Sequence, residues 1–235
     1  MTNAPDMKLV LFDIDGTILW SDGAGRRAMT EALMAVFGGA GPTDYRYDGK
    51  TDPQIVRDLM RASGHTDATI DDRIDPLMRR YLGGLERELA GGTRAHVFDG
   101  VRDLLDLLEA RDDIVLGLLT GNLRDGAAIK LRAAGIDIER FTVCAFGSDH
   151  HARAELPALA QQRAKEALGL DIPGDHIYVI GDTPADITCG QGIGARAIAV
   201  ATGRYTPEEL ARHHPYALFP SLADTQAVMT VIVDA

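Results

Sequence analysis

Four aspartates sit in two short segments, each of which closes an apolar run. Asp13-Ile14-Asp15-Gly16-Thr17 follows Lys8-Leu9-Val10-Leu11-Phe12, and Gly181-Asp182-Thr183-Pro184-Ala185-Asp186 follows His176-Ile177-Tyr178-Val179-Ile180. Residues two apart on extended backbone point the same way, so Asp13 and Asp15 face one cleft if the chain stays extended. Gly16 lets the backbone turn sharply there and approach a ligand closely. Thr183 can cap a helix and Pro184 suits its first position. Asp186 then lies one turn beyond Asp182. Thr120-Gly121-Asn122, after the run Ile114 to Leu119, offers a hydroxyl, a flexible amide and a carboxamide as donors to phosphate oxygens. A helix start just beyond it favours an anion. Each segment alone also has a plain structural reading: an Asp-Gly turn, ordinary cap material, and an acidic helix start. Together at neighbouring strand ends, four carboxylates repel one another unless they are protonated or share a cation. A few carboxylates with waters and a substrate phosphate suit Mg²⁺.

Positioning them requires a sheet. The three apolar runs, with Ala197 to Val200 and a short Ala217 to Phe219, read as buried strands. Helical spacing separates them, at Val101, Leu104, Leu105 and Leu108, at Ala127, Leu131 and Ala134, and from Leu159 to Leu168. Continuously apolar strands alternating with helices imply a doubly wound parallel sheet, a Rossmann-like α/β core whose ligands bind at the carboxyl ends of its strands. The stretch from Trp20 to Thr93 breaks this rhythm. Its helical stripes, the clearest running from Ile74 to Leu89, predict an all-helical cap. The expected division is 1–20 and 94–235 for the core and 21–93 for the cap, with hinges at Ser21 to Gly25 and at Gly91-Gly92.

The 235 residues have an ordinary globular composition, 46% apolar and 25% charged. A net charge of −11 disfavours nucleic acid and anionic membrane as partners. No apolar run approaches the roughly 18 residues that span a bilayer. Met1 to Met7 lacks the basic start and apolar core of a secretory signal. Cys144 and Cys189 form no CxxC pair and read as reduced thiols of a cytoplasmic protein.

DIDGT, LLTGN and GDTPAD, in this order and at strand ends, resemble motifs I, II and IV of the haloacid dehalogenase superfamily. The inserted helices are similar to the C1 cap of its phosphoglycolate-phosphatase-like branch. The resemblance runs from about Lys8 to Phe219. It implies a Mg²⁺-dependent phosphatase of small phosphate monoesters, in which Asp13 attacks phosphorus to form an aspartyl-phosphate. Asp15 would protonate the leaving alkoxide and then deprotonate the hydrolytic water. Asp13, the Asp15 backbone carbonyl and Asp182 would hold Mg²⁺ with Asp186 close by, while Thr120, helped by backbone around Gly121 and Asn122, would bind the phosphoryl group. Motif III departs from the pattern. A lysine before proline is usual there, whereas His150 to Pro157 contains no lysine. Arg153 is the candidate cation, with Arg163 and Lys165 as alternatives farther along.

In the cap, Arg26 and Lys50 are candidates for substrate specificity, each also readable as a solvated surface cation. A phosphomutase on the same scaffold is the alternative function. A phospho-receiver fits less well because receivers are compact and uncapped, and a non-catalytic binding protein would not need all four aspartates. The expected partner is a small phosphorylated metabolite, and the chain is a monomer or homodimer. Which ester is the substrate is not written in these residues.

Overall fold

The computed structural model describes residues 7–90 and 95–234. In chain order the elements are β1 (Lys8–Phe12), β2 (Leu19–Trp20), α1 (Ala24–Phe37), α2 (Asp52–Ala62), α3 (Asp67–Leu89), β3 (His96–Val97), α4 (Val101–Glu109) and β4 (Ile114–Thr120). There follow α5 (Arg124–Ala133), β5 (Val143–Phe146), α6 (Leu156–Leu168), β6 (Ile177–Gly181), α7 (Pro184–Cys189), β7 (Arg196–Val200), α8 (Pro207–Ala211), β8 (Ala217–Phe219) and α9 (Thr225–Val233).

Six strands form one parallel sheet in the order β5-β4-β1-β6-β7-β8. Alternate residues of β1 serve opposite faces. Val10 and Phe12 pack with Leu104, Leu105 and Leu131, whereas Leu9 and Leu11 pack with Leu156, Ala160 and Ala164 of α6. Burial on both faces explains why these strands read as unbroken apolar runs. The fold is the Rossmann-like sheet expected from the sequence. With β1 central and its neighbours coming from later in the chain, the crevice lies at the carboxyl ends of β1, β4 and β6.

Three strands were not foreseen. Edge strand β5 has only four residues, and Cys144 and Ala145 give it little β propensity. The ribbon of β2 and β3 pairs Leu19 with Val97 and Trp20 with His96, too short to leave an alternating pattern. It ties together the two ends of the helical insertion. At the near end Asp22 and Gly23 take left-handed conformations, with φ of 49° and 72°. The second expected hinge, Gly91-Gly92, lies outside the described residues.

Helices α1, α2 and α3 share a separate apolar core containing Ala28, Leu33, Val56, Leu59, Leu77 and Leu85. Their seat on the sheet is polar at one place that matters. Thr51, fully buried, caps α2 by accepting from the Gln54 amide at 3.2 Å and donates across to the His151 carbonyl at 2.7 Å. Thr51→Ala removes both bonds and should lower stability by about 1–2 kcal/mol. Urea unfolding checks this, and an unchanged midpoint would count against the seat.

Candidate active site

The ends of β1, β4 and β6 converge. The Asp13 amide donates to the Ile180 carbonyl at 2.9 Å, which brings the two acidic loops side by side. Asp13, Asp182 and Asp186 are all buried, and each offers a carboxylate oxygen within 4.8 Å of the others. Gly16 makes this approach possible. Its φ is +88°, and a Cβ there would collide with the Asp182 carboxylate. Thr17 donates to Asp182 Oδ1 at 3.1 Å. Asp186 is the N3 residue of a capping box on α7, accepting through Oδ2 from the Thr183 amide and hydroxyl.

The structure separates the three candidate cations. Arg153 is buried, paired with Asp186, and 3.3 Å from Asp13 Oδ1. Burial disfavours its charge, but Asp13 and Asp186 outweigh that and hold the guanidinium above its usual range. Its Nε is buried with no hydrogen-bond partner among the described residues. Arg163 instead binds Asp149 and the Cys144 carbonyl, and Lys165 binds Asp171 in solvent.

A second buried cation was missed. Lys130 of α5 is 4% exposed and donates to Asp15 Oδ2 at 2.5 Å and to Asn122 Oδ1 at 2.6 Å. The signal was present, because Lys130 falls on the same helical stripe as Ala127, Leu131 and Ala134. A charge on an apolar stripe asks for a buried partner.

Asn122 has a different task from the one expected. One Nδ2 hydrogen goes to Asp15 Oδ2 at 2.9 Å and the other to Thr120 Oγ1 at 2.8 Å, so its carboxamide has no hydrogen left for a phosphate. Thr120, fully buried, uses its oxygen as an acceptor and keeps its own proton to donate. Gly121 accepts from the Asp52 amide at 2.8 Å, and a Cβ at Gly121 would strike the Lys50 backbone. The tip of the helical layer therefore rests on this loop.

The cleft encloses about 980 Å³ including its open mouth and is lined by Asp13, Asp15 and Asp182 together with Trp20, Arg26, Met29, Tyr47 and Lys50. Both cap cations are already engaged. Arg26 donates to the Thr43 and Tyr45 carbonyls, each at 3.0 Å, and lies over the Tyr47 ring. Lys50 Nζ stands 3.7 Å from Asp58 and 3.8 Å from the Tyr45 ring centre.

Electrostatics in the site are strained toward neutrality. Burial pushes Asp13 up to about 6, against the pull of Arg153 and with Asp186 and Asp15 adding to it. Burial, then Asp186 and Asp13, raise Asp182 well above the usual carboxylate range. The four aspartates have only Arg153 and Lys130 as ion-pair partners among the described residues. Two negative charges stay uncompensated if all four ionise. An all-oxygen donor set with that deficit fits a divalent hard cation.

The sequence profile of the haloacid dehalogenase-like hydrolases matches residues 7–194. The chain belongs to this family. The N-acetylmuramic acid 6-phosphate phosphatase of Pseudomonas aeruginosa is 28% identical over 217 residues, covering 88% of this chain and 87% of the relative. Pyrophosphatase PpaX of Bacillus pumilus is 26% identical over 231 residues, covering 97% and 98%. The crystal structure of a hydrolase from Pseudomonas syringae superposes with a TM-score of 0.74 at 22% identity, covering 96% of this chain and 99% of that one. Membership in the haloacid dehalogenase-like hydrolases makes this chain an enzyme with a Rossmann-like core. No described helix is long and apolar enough to cross a membrane.

Asp52 gives the site a pH signature of its own. It is buried at the start of α2, where it accepts from the Leu123 amide at 2.9 Å. Burial raises its pKa from the usual 3.8 to about 6, while Lys130 pulls it down. The folded protein thus keeps a proton at Asp52 that the unfolded chain has released, and ionising it costs stability as pH rises from about 3.8 to about 6. Asp52→Asn should flatten that part of the stability profile, read by urea unfolding across the interval. A slope identical to that of the unmodified protein would contradict the assignment.

Proposed function

We propose that the protein is a Mg²⁺-dependent phosphatase that hydrolyses small phosphate monoesters through an aspartyl-phosphate on Asp13. The observation that carries this reading is the buried trio of Asp13, Asp182 and Asp186, with ligand oxygens within 4.8 Å of one another and Arg153 held against two of them. The names of the two relatives, a sugar-phosphate phosphatase and a pyrophosphatase, support hydrolysis at a phosphorus–oxygen bond.

Asp13, the Asp15 backbone carbonyl and Asp182 would hold the metal, with Asp186 beside them. Bound there, Mg²⁺ would supply positive charge that lets a carboxylate and a phosphate dianion approach. Asp13 attacks phosphorus as the bond to the leaving oxygen breaks, so one hard displacement becomes two easier ones. Asp15 gives its proton to that oxygen and, in the second half, takes one from the attacking water. Thr120 donates its free proton to a phosphoryl oxygen, and the backbone at Gly121 completes that pocket. Arg153 brings a planar cation whose Nε has no other partner among the described residues. The helices from residue 21 to residue 93 form the cap over the core, and Arg26 and Lys50 on its cleft wall contribute to the choice of leaving group.

Asp13→Asn should abolish release of free phosphate from p-nitrophenyl phosphate while circular dichroism stays that of the unmodified protein. Substantial turnover by the variant would overturn the nucleophile assignment. A chelator should stop the unmodified enzyme and added Mg²⁺ should restore it. Hydrolysis that continues at full rate without divalent metal would remove the metal from the mechanism.

A further inference from the structure

Asp15 is held on one side only. Its Oδ2 receives both Lys130 Nζ at 2.5 Å and Asn122 Nδ2 at 2.9 Å, whereas Oδ1 meets, among the described residues, only the Ser21 hydroxyl at 3.5 Å. Lys130 can donate but never accept, so the Asn122 carboxamide must turn its oxygen toward it. That orientation aims the Nδ2 hydrogens at Asp15 and at Thr120. A single buried ammonium thereby sets three side chains in order. Burying such a charge costs several kcal/mol unless it is well paired. The helix does not need it, since its neighbours on the stripe, Ala127 and Leu131, are apolar and fully buried. The charge serves the cleft.

The same ammonium links the core to the cap. Lys130 opposes the burial that raises Asp52, and the Tyr81 hydroxyl bonds to Asp52. A Cβ at Gly25 would stand 3.4 Å from Lys130 Nζ and 3.7 Å from the Tyr81 hydroxyl, so the three groups crowd one spot between α1, α2, α3 and α5.

We propose that Lys130 is a positioning residue for proton transfer: it fixes Oδ2 of Asp15 and the carboxamide of Asn122, leaving Oδ1 of Asp15 to move the proton. The proposal rests on the phosphatase reading, in which Asp15 is the acid–base group. The proton leaves Oδ1 for the alcohol oxygen as the bond from Asp13 to phosphorus forms and the phosphorus–oxygen ester bond breaks. Asp15 is then a carboxylate, ready to take a proton from water as the bond between phosphorus and Asp13 breaks. Lys130 lines the cleft, and in this role it acts through Asp15.

Leaving-group dependence tests this, because a misplaced general acid harms a poor leaving group far more than a good one. The parameter is kcat/KM, which reports steps only as far as release of the alcohol. Lys130→Met should lower kcat/KM for glycerol phosphate more than about 50-fold and for p-nitrophenyl phosphate less than about 5-fold. Equal losses on the two esters, or none on either, would overturn the proposal. If Lys130→Met does not fold, the two esters are compared on Lys130→Gln, which keeps a donor without the charge. There a loss at least about 5-fold greater for glycerol phosphate is expected, and equal losses are again fatal. Asp15→Asn is the reference. A gap between the esters in Asp15→Asn but not in the Lys130 variants sinks Lys130 alone. No gap in Asp15→Asn sinks the acid–base reading, and the Lys130 proposal with it.

Discussion

Like charge confined to a small volume is the constraint on which this molecule turns. Three carboxylates, of Asp13, Asp182 and Asp186, meet at the edge of a parallel sheet in a buried place where water cannot screen them. Such an arrangement is unstable in isolation, and much nearby architecture moderates it. Arg153 sits between two of them, Thr17 donates to a third, and the helix start at Thr183 occupies Oδ2 of Asp186. What these groups leave uncompensated is negative charge of the kind a hard divalent ion offsets.

The second half of the site is built on a different economy. Around Asp15 the charges balance locally, through Lys130 and the carboxamide between them. One aspartate of the first segment therefore shares Arg153 with other carboxylates, while its neighbour two residues on faces a lysine. Two carboxyls so close in sequence acquire distinct chemistry from their surroundings alone.

Much of this was legible in the residues. Strands β1, β4 and β6 announced themselves as apolar runs because both of their faces are covered, and each ended in polar residues that a buried strand has no use for. The helical insertion was visible as a lapse in that rhythm. Strand β5 was hidden by its shortness and its alanine and cysteine, and the β2–β3 ribbon by having two residues a side. Arg153 was only one of three cations that sequence could offer, since buried and exposed arginines look alike until packing decides. Lys130 lay 115 residues from Asp15, a pairing that only the sheet order creates. The engagement of the Asn122 carboxamide was missed for the same reason: its partner Asp15 lies 107 residues away.

The hydrogen bond from Asp52 to Gly121 joins the helical layer to the very loop that would grip a phosphoryl group, and the one from Thr51 to His151 joins it to the neighbouring loop beyond β5. They work as a latch whose keeper is part of the binding pocket. Any displacement of the layer would therefore pull on Gly121, so the position of the helices and the shape of that loop are mechanically coupled.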